Sequence, residues 1–172
     1  KRKVESEGDP FWKDRINISR PSNERWKDVN PNDARNLGIL LHDSMARILT
    51  YDDIERCVID LVQSGRISET EATTFKGHLT NLINQSKLKP LFDSKKTIKN
   101  EAAIQIESGK ILRPDRVVYD NDEAWVIDYK TGLEKTQHIS QINNYKLALA
   151  QLGFKKINGL LVYIDSEKIV EV

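Results

Sequence analysis

The chain predicts an α/β fold, a mixed β-sheet of about four to five strands flanked by helices. Three observations carry this. Apolar residues recur at helical spacing through the first half, the period changes to two near residue 98, and one further helical stretch interrupts the strands. Helices, then a meander, then a helix crossing to another strand is the order that covers a sheet on its faces.

From about Asn32 to Tyr51, Leu37, Leu40, Leu41, Met45, Ile48 and Leu49 keep helical spacing. A second helix spans roughly Asp52 to Gln63 and is ended by Ser64-Gly65. A third opens on the capping box Ser68-x-x-Glu71, carries Ala72, Phe75, Leu79, Leu82 and Ile83 on one face, and has its end marked by Lys89-Pro90. Residues of about 98–107, 111–119, 124–130 and 158–164 read as strands, with a short one at 167–171. The interrupting helix runs from about Thr136 to Leu152, where Gly153 suits its C-terminal cap. Ahead of all these, residues 1–34 read as an N-terminal arm or linker, polar and broken by Pro10, Pro21 and Pro31, with Phe11, Trp12 and Trp26 interspersed. The domain itself then covers residues 35–172.

A length of 172 residues supports one domain with a substantial core, not two. The 27 Lys and Arg nearly cancel the 26 Asp and Glu, so no global basic field announces a nucleic-acid partner. That balance excludes little, because a carboxylate metal site cancels basic residues elsewhere and its cation adds charge the count omits. The single cysteine, Cys57, excludes an internal disulfide and any all-cysteine metal or iron–sulfur site. It sits at helical spacing with Ile54, Val58 and Leu61, which reads as a core thiol in a reducing, cytoplasmic setting. No apolar run approaches the roughly 20 residues of a membrane span, and no signal-peptide pattern opens the chain. The sequence begins Lys-Arg-Lys without a methionine, which reads as a piece of a longer protein.

The chemistry concentrates on one hairpin. Ile111–Tyr119 and Ala124–Lys130 are rich in β-branched and aromatic residues and are separated by Asp-Asn-Asp-Glu. With Asn121 and Asp122 as the turn, Asp120 faces Glu123, and counting outward sets Asp115 opposite Asp128. Opposed residues have Cβ atoms roughly 5 Å apart on one face, close enough for two carboxylates to share a hard cation. Lys130, two residues beyond Asp128, returns to that face. The same count across Ser108-Gly109 brings Glu101 within one residue of facing Asp115. Gly38 and His42 lie four apart on one helix face, as do Gln141 and Tyr145 on another. For His42 to ligate, its helix must lie against the acidic face of the hairpin, with Gly38 permitting close approach. Lys130-Thr131-Gly132 is no Walker A loop, since no glycine-rich turn precedes the lysine. Asp115 and Asp128 suit magnesium, which keeps several waters. His42 and the Tyr129 carbonyl can extend the shell, and manganese can substitute.

In order, Gly38-x-x-x-His42, Glu101, Arg113-Pro-Asp115-Arg, Ile127-Asp128-Tyr-Lys130-Thr-Gly and Gln141-x-x-x-Tyr145 form a joint pattern over about residues 35–165. The pattern resembles the PD-(D/E)XK nuclease superfamily, and within it the RecB-like exonuclease domain at the C-terminus of bacterial helicase–nucleases of the RecB, AddA and UvrD type. The resemblance implies a restriction-endonuclease-like core and a Mg2+-dependent DNA exonuclease that acts with a helicase motor on the same polypeptide in end processing, recombination and repair. It implies His42, Asp115 and Asp128 as metal ligands, Lys130 as catalytic, Gln141 and Tyr145 as supports of the site and the DNA, and Glu101 as the upstream acid. The iron–sulfur cluster of one branch is ruled out by the lone cysteine. Two rival readings are a non-catalytic nuclease-fold DNA-binding or scaffolding module, which the intact Asp115, Asp128 and Lys130 set argues against, and an unrelated α/β domain in which these residues form a structural salt-bridge network.

Overall fold

The computed structural model describes residues 17–18, 34–107 and 109–172. Of the 1–34 arm, Asn17, Ile18 and Ala34 fall within these; its prolines and its Phe11, Trp12 and Trp26 lie outside the described residues. From Ala34 the chain forms three helices, α1 (Ala34–Arg47), α2 (Asp53–Gln63) and α3 (Glu69–Ile83). The capping box opens α3: Ser68 Oγ accepts the Glu71 amide and the Glu71 carboxylate accepts the Ser68 amide, so two otherwise orphaned donors are satisfied. The first helix stops at Arg47, short of the Tyr51 that periodicity suggests. Asp53 accepts the amides of Leu49 and Thr50, and this local bond replaces continued helix. Likewise α3 ends at Ile83, and Lys89-Pro90 instead begin a separate 3-10 turn, Lys89–Phe92.

The main sheet has five strands: β2 (Thr97–Asn100), β5 (Arg116–Asp120), β6 (Glu123–Lys130), β7 (Lys156–Tyr163) and β8 (Lys168–Glu171), neighbours in that order. Only β6 and β7 pair in parallel, joined through α4 (Thr136–Gln151), the long crossover that a parallel pair requires. Three short strands make a second sheet, β1 (Asn17–Ile18), β3 (Ala102–Gln105) and β4 (Ile111–Leu112). The expected strand 98–107 therefore breaks in two. Glu101 adopts φ 52°, outside the extended region, and β2 and β3 diverge into different sheets. The expected strand 111–119 breaks as well, between β4 and β5, where Pro114 has no amide to give a ladder. Ser108 of the expected Ser108-Gly109 turn lies outside the described residues, and Gly109 has φ 79°.

The main sheet divides two apolar cores. Leu41 and Met45 of α1 and Ile48 just past its end, with α2 and α3, pack on Val118, Ile127, Tyr129 and Val162. On the opposite face Ile142, Tyr145 and Leu149 of α4 meet Val117, Val126, Leu161 and Tyr163. Alternate residues of β5, β6 and β7 thus serve alternate cores. With both faces covered, β7 reads as an unbroken apolar run, Leu160-Leu-Val-Tyr163.

One buried polar cluster joins α1 to the sheet. Arg116, with no solvent exposure, donates to the carbonyls of Ile48 (2.8 Å), Leu49 (2.6 Å) and Leu91 (2.9 Å). Its guanidinium carbon lies 3.7 Å from the centroid of the Phe92 ring. Asn100, its register partner on β2, accepts from it at 3.2 Å and donates to the carbonyls of Ala46 (2.8 Å) and Ile48 (3.2 Å). Acceptors at a helix C-terminus have no partners within the helix, and a cation there also meets the favourable end of the helix dipole. Arg116→Ala is expected to lower stability in urea unfolding by about 3 kcal/mol or more, because several buried carbonyls lose a charged donor together. Arg116→Lys should recover only part of this, lacking the planar fork. A loss below about 1 kcal/mol for the alanine variant would contradict this role.

Candidate active site

The β5–β6 turn has Asn121 at φ 50°, a conformation asparagine tolerates well, and it sets Asp120 opposite Glu123. The ladder runs down to Arg116 opposite Ile127, so one further step sets Asp115 beside Asp128. Asp115 stands just outside β5, where its Oδ2 accepts the Tyr129 amide at 2.7 Å. Asp128 is 2% exposed and shares the α4 face with Lys130.

A polar chain leads from there into α4. The Lys130 ammonium is ion-paired with Asp128 Oδ2 and donates to Gln141 Oε1 at 2.9 Å. Gln141 Nε2 donates to the Tyr145 hydroxyl at 2.7 Å, and that hydroxyl donates to the Arg113 carbonyl at 3.1 Å. The i, i+4 spacing on α4 makes the Gln141–Tyr145 step possible.

His42 reaches the site from the other layer. Its helix packs on the Tyr129 face of β6, whereas Asp128 and Lys130 lie on the opposite face, so the expectation that α1 covers the acidic face is corrected. Asp115 is still within reach because it projects from the strand end. His42 Nε2 lies 3.3 Å from Asp115 Oδ2, and its ring meets Tyr129 edge-on with centroids 6.1 Å apart. One turn earlier on α1, a Cβ on Gly38 would come within 2.8 Å of Asp165 Oδ1 and 2.9 Å of Thr131 Cγ2. The close approach is therefore made by side chains of two loops. Asp165 Oδ2 in turn accepts the Gly132 amide at 2.5 Å. Glu101 comes alongside through its backbone, its amide donating to the Asp115 carbonyl at 2.9 Å. A cleft of about 370 Å³ opens here, walled by Ile39, His42, Ala46, Glu101, Tyr129 and Lys130.

Asp115 and Asp128 adjoin this cleft without lining it, and the charges around it oppose one another. Burial, then the charge of Asp115, push the Asp128 carboxyl up to about 6 against the pull of Lys130. Glu101 is raised by burial and then by Asp115. The hydrogen bond to Asp115 raises His42 above its ordinary value, against the effect of burial. Among the described residues no three His, Cys, Asp or Glu side chains stand together in metal-ligand geometry. The chemistry of the donors nonetheless fits a hard divalent cation. Asp115 and Asp128 offer carboxylate oxygens from neighbouring strand positions, and His42 adjoins Asp115.

Sequence reasoning missed Asn100, Arg116 and Asp165 as residues that hold the site in place. Gly132 was the one local signal of a held turn; the contacts of these residues span 16 to 68 residues and leave no mark in local spacing.

The family model of the PD-(D/E)XK nuclease superfamily matches residues 17–171, and the chain belongs to that superfamily. No curated protein matches it. No described helix is long and apolar enough to cross a membrane.

Asp128 supplies a test of the site's electrostatics. A folded-state value of about 6 against an ordinary 3.8 means that the folded protein holds this proton more tightly than the unfolded one. Stability from this group is present below the ordinary value and is lost as pH rises from about 4 to about 6. With chelator present, Asp128→Asn should therefore raise Tm by a few degrees at pH 8 and change it little at pH 4. A lower Tm for the variant at pH 8 would identify the Asp128–Lys130 pair as structural cement.

Proposed function

We propose that this domain is a divalent-metal-dependent DNA exonuclease that works beside a helicase motor on the same polypeptide, processing DNA ends in recombination and repair. Membership of the nuclease superfamily sets the class of reaction. The finer reading is supported by the RecB-like order of motifs and by one observation in particular. Lys130 is held between Asp128 and Gln141, and Gln141 is held by Tyr145, so residues from separate motifs act on one ammonium group. A salt bridge that only cemented the hairpin would not require the second half of that chain.

Asp115 and Asp128 would hold magnesium, with His42, Glu101 and the Tyr129 carbonyl around them, and manganese would substitute because it shares the preference for oxygen ligands. The chemistry such an ion supplies when bound is acidification of water and polarisation of the phosphate. Lys130 contributes a fixed positive charge that orients the attacking water and neutralises charge building on the phosphate oxygens in the pentavalent transition state. Gln141 holds the ammonium in place and Tyr145 orients Gln141, so neither needs to reorganise as charge develops. The Tyr129 amide and His42 fix the Asp115 carboxylate from two sides.

End-labelled single- and double-stranded DNA, incubated with magnesium, manganese or chelator, tests this reading. Degradation from ends is expected with either metal and none with chelator. Asp115→Ala and Asp128→Ala should abolish cleavage, and Lys130→Ala should cut turnover by at least about 10² to 10³. His42→Ala should lose activity less completely than Asp115→Ala, since a neutral imidazole attracts a hard cation less than a carboxylate does. Cleavage of closed circular DNA as readily as of linear DNA would sink the exonuclease reading. DNA binding with no cleavage in either metal would make the domain a non-catalytic module.

A further inference from the structure

Between Lys130 and the start of α4 at Thr136 lies the loop Thr131-Gly132-Leu133-Glu134-Lys135. Leu133 is 84% exposed, more than any other large apolar side chain among the described residues. A lone exposed leucine needs no explanation of its own. What sets this one apart is how firmly its loop is held. The Gly132 amide is bound by Asp165 Oδ2 at 2.5 Å, Thr131 fits against α1 where only a glycine leaves room, and Glu134 is ion-paired with Lys168. Gly132 itself, at φ 79°, takes the left-handed conformation that a side chain would resist. The leucine is thus carried by an anchored turn, and little loop entropy remains to be lost when something packs on it.

Its position suggests what that something is. Three residues span at most about 11 Å, so Leu133 lies within that distance of Lys130 along the chain. Stacked nucleotides rise about 3.4 Å each along a strand, so a strand with its phosphate at Lys130 carries its nearest few bases within that reach. A leucine has nothing to offer a phosphate, but it matches the apolar face of a base. We infer that Leu133 is a nucleobase-contact residue that packs against a base flanking the scissile phosphate, as apolar side chains do where they enter a base step. This rests on the nuclease reading and deepens it by assigning the substrate a base contact as well as a phosphate contact.

The test uses the full chain with short single-stranded DNA carrying 2-aminopurine, comparing Leu133→Ser, Leu133→Met and, as a control, Leu147→Ser on the exposed side of α4. Cleavage is followed in magnesium, and fluorescence on binding is followed with calcium in its place. Leu133→Ser should raise KM about 10-fold, the scale of losing one buried leucine contact, with kcat little changed. It should also lose the fluorescence change that wild type produces. Leu133→Met should retain the wild-type KM and fluorescence change, and Leu147→Ser should match wild type. An unchanged KM and an unchanged fluorescence response in Leu133→Ser would overturn the inference, as would a loss confined to association with another protein. If wild type neither cleaves nor binds the DNA, the nuclease reading fails first and this contact fails with it.

Discussion

Arg116 sends its guanidinium into the layer beneath the sheet, where it meets the carbonyls of Ile48, Leu49 and Leu91 and the face of Phe92. The residue before it is Asp115, and the helix it anchors carries Gly38 and His42. One buried cation therefore sets the distance between a carboxylate on the sheet and an imidazole on α1. Asn100 does the same for the neighbouring strand, and the residue after it is Glu101. Each acid at the cleft edge is thus one peptide unit from a side chain locked in the core, which fixes its backbone without using its own polar atoms.

The acids so placed oppose one another: the charge of Asp115 raises both Asp128 and Glu101. Asp128 is buried beside Asp115, and only Lys130 offsets it from within the sheet. Proteins tolerate such groups where a ligand or reaction compensates for them. The Gln141–Tyr145 chain adds a further constraint, because it holds the compensating lysine from outside the hairpin. A loop braced by Gly38 and Asp165 then carries the backbone away from Lys130 into α4.

The register of the hairpin was legible in the sequence because it depends on local chemistry. A left-handed-tolerant Asn121 and two β-branched runs allow only one outward count, and the Asp120–Glu123 pairing follows it. The capping box at Ser68 was legible for the same reason. The break at Glu101 was not, since glutamate carries no signal for φ 52°; the backbone adopts it where Asn100 and the Asp115 carbonyl hold the chain on either side. Nor could periodicity say which face of the sheet α1 covers. Both cores accept leucines, and the choice is made by Arg116 and Asn100 across more than 50 residues of sequence.

Ion binding distinguishes a cation site at Asp115 and Asp128 from a pair relieved only by His42 and Lys130. Manganese binding to the DNA-free protein, titrated by electron paramagnetic resonance, tests this directly. Wild type is expected to bind an ion, His42→Ala to bind it more weakly, and Asp115→Ala and Asp128→Ala not to bind one at this site. Manganese binding that is unaffected by Asp128→Ala would contradict a cation site there.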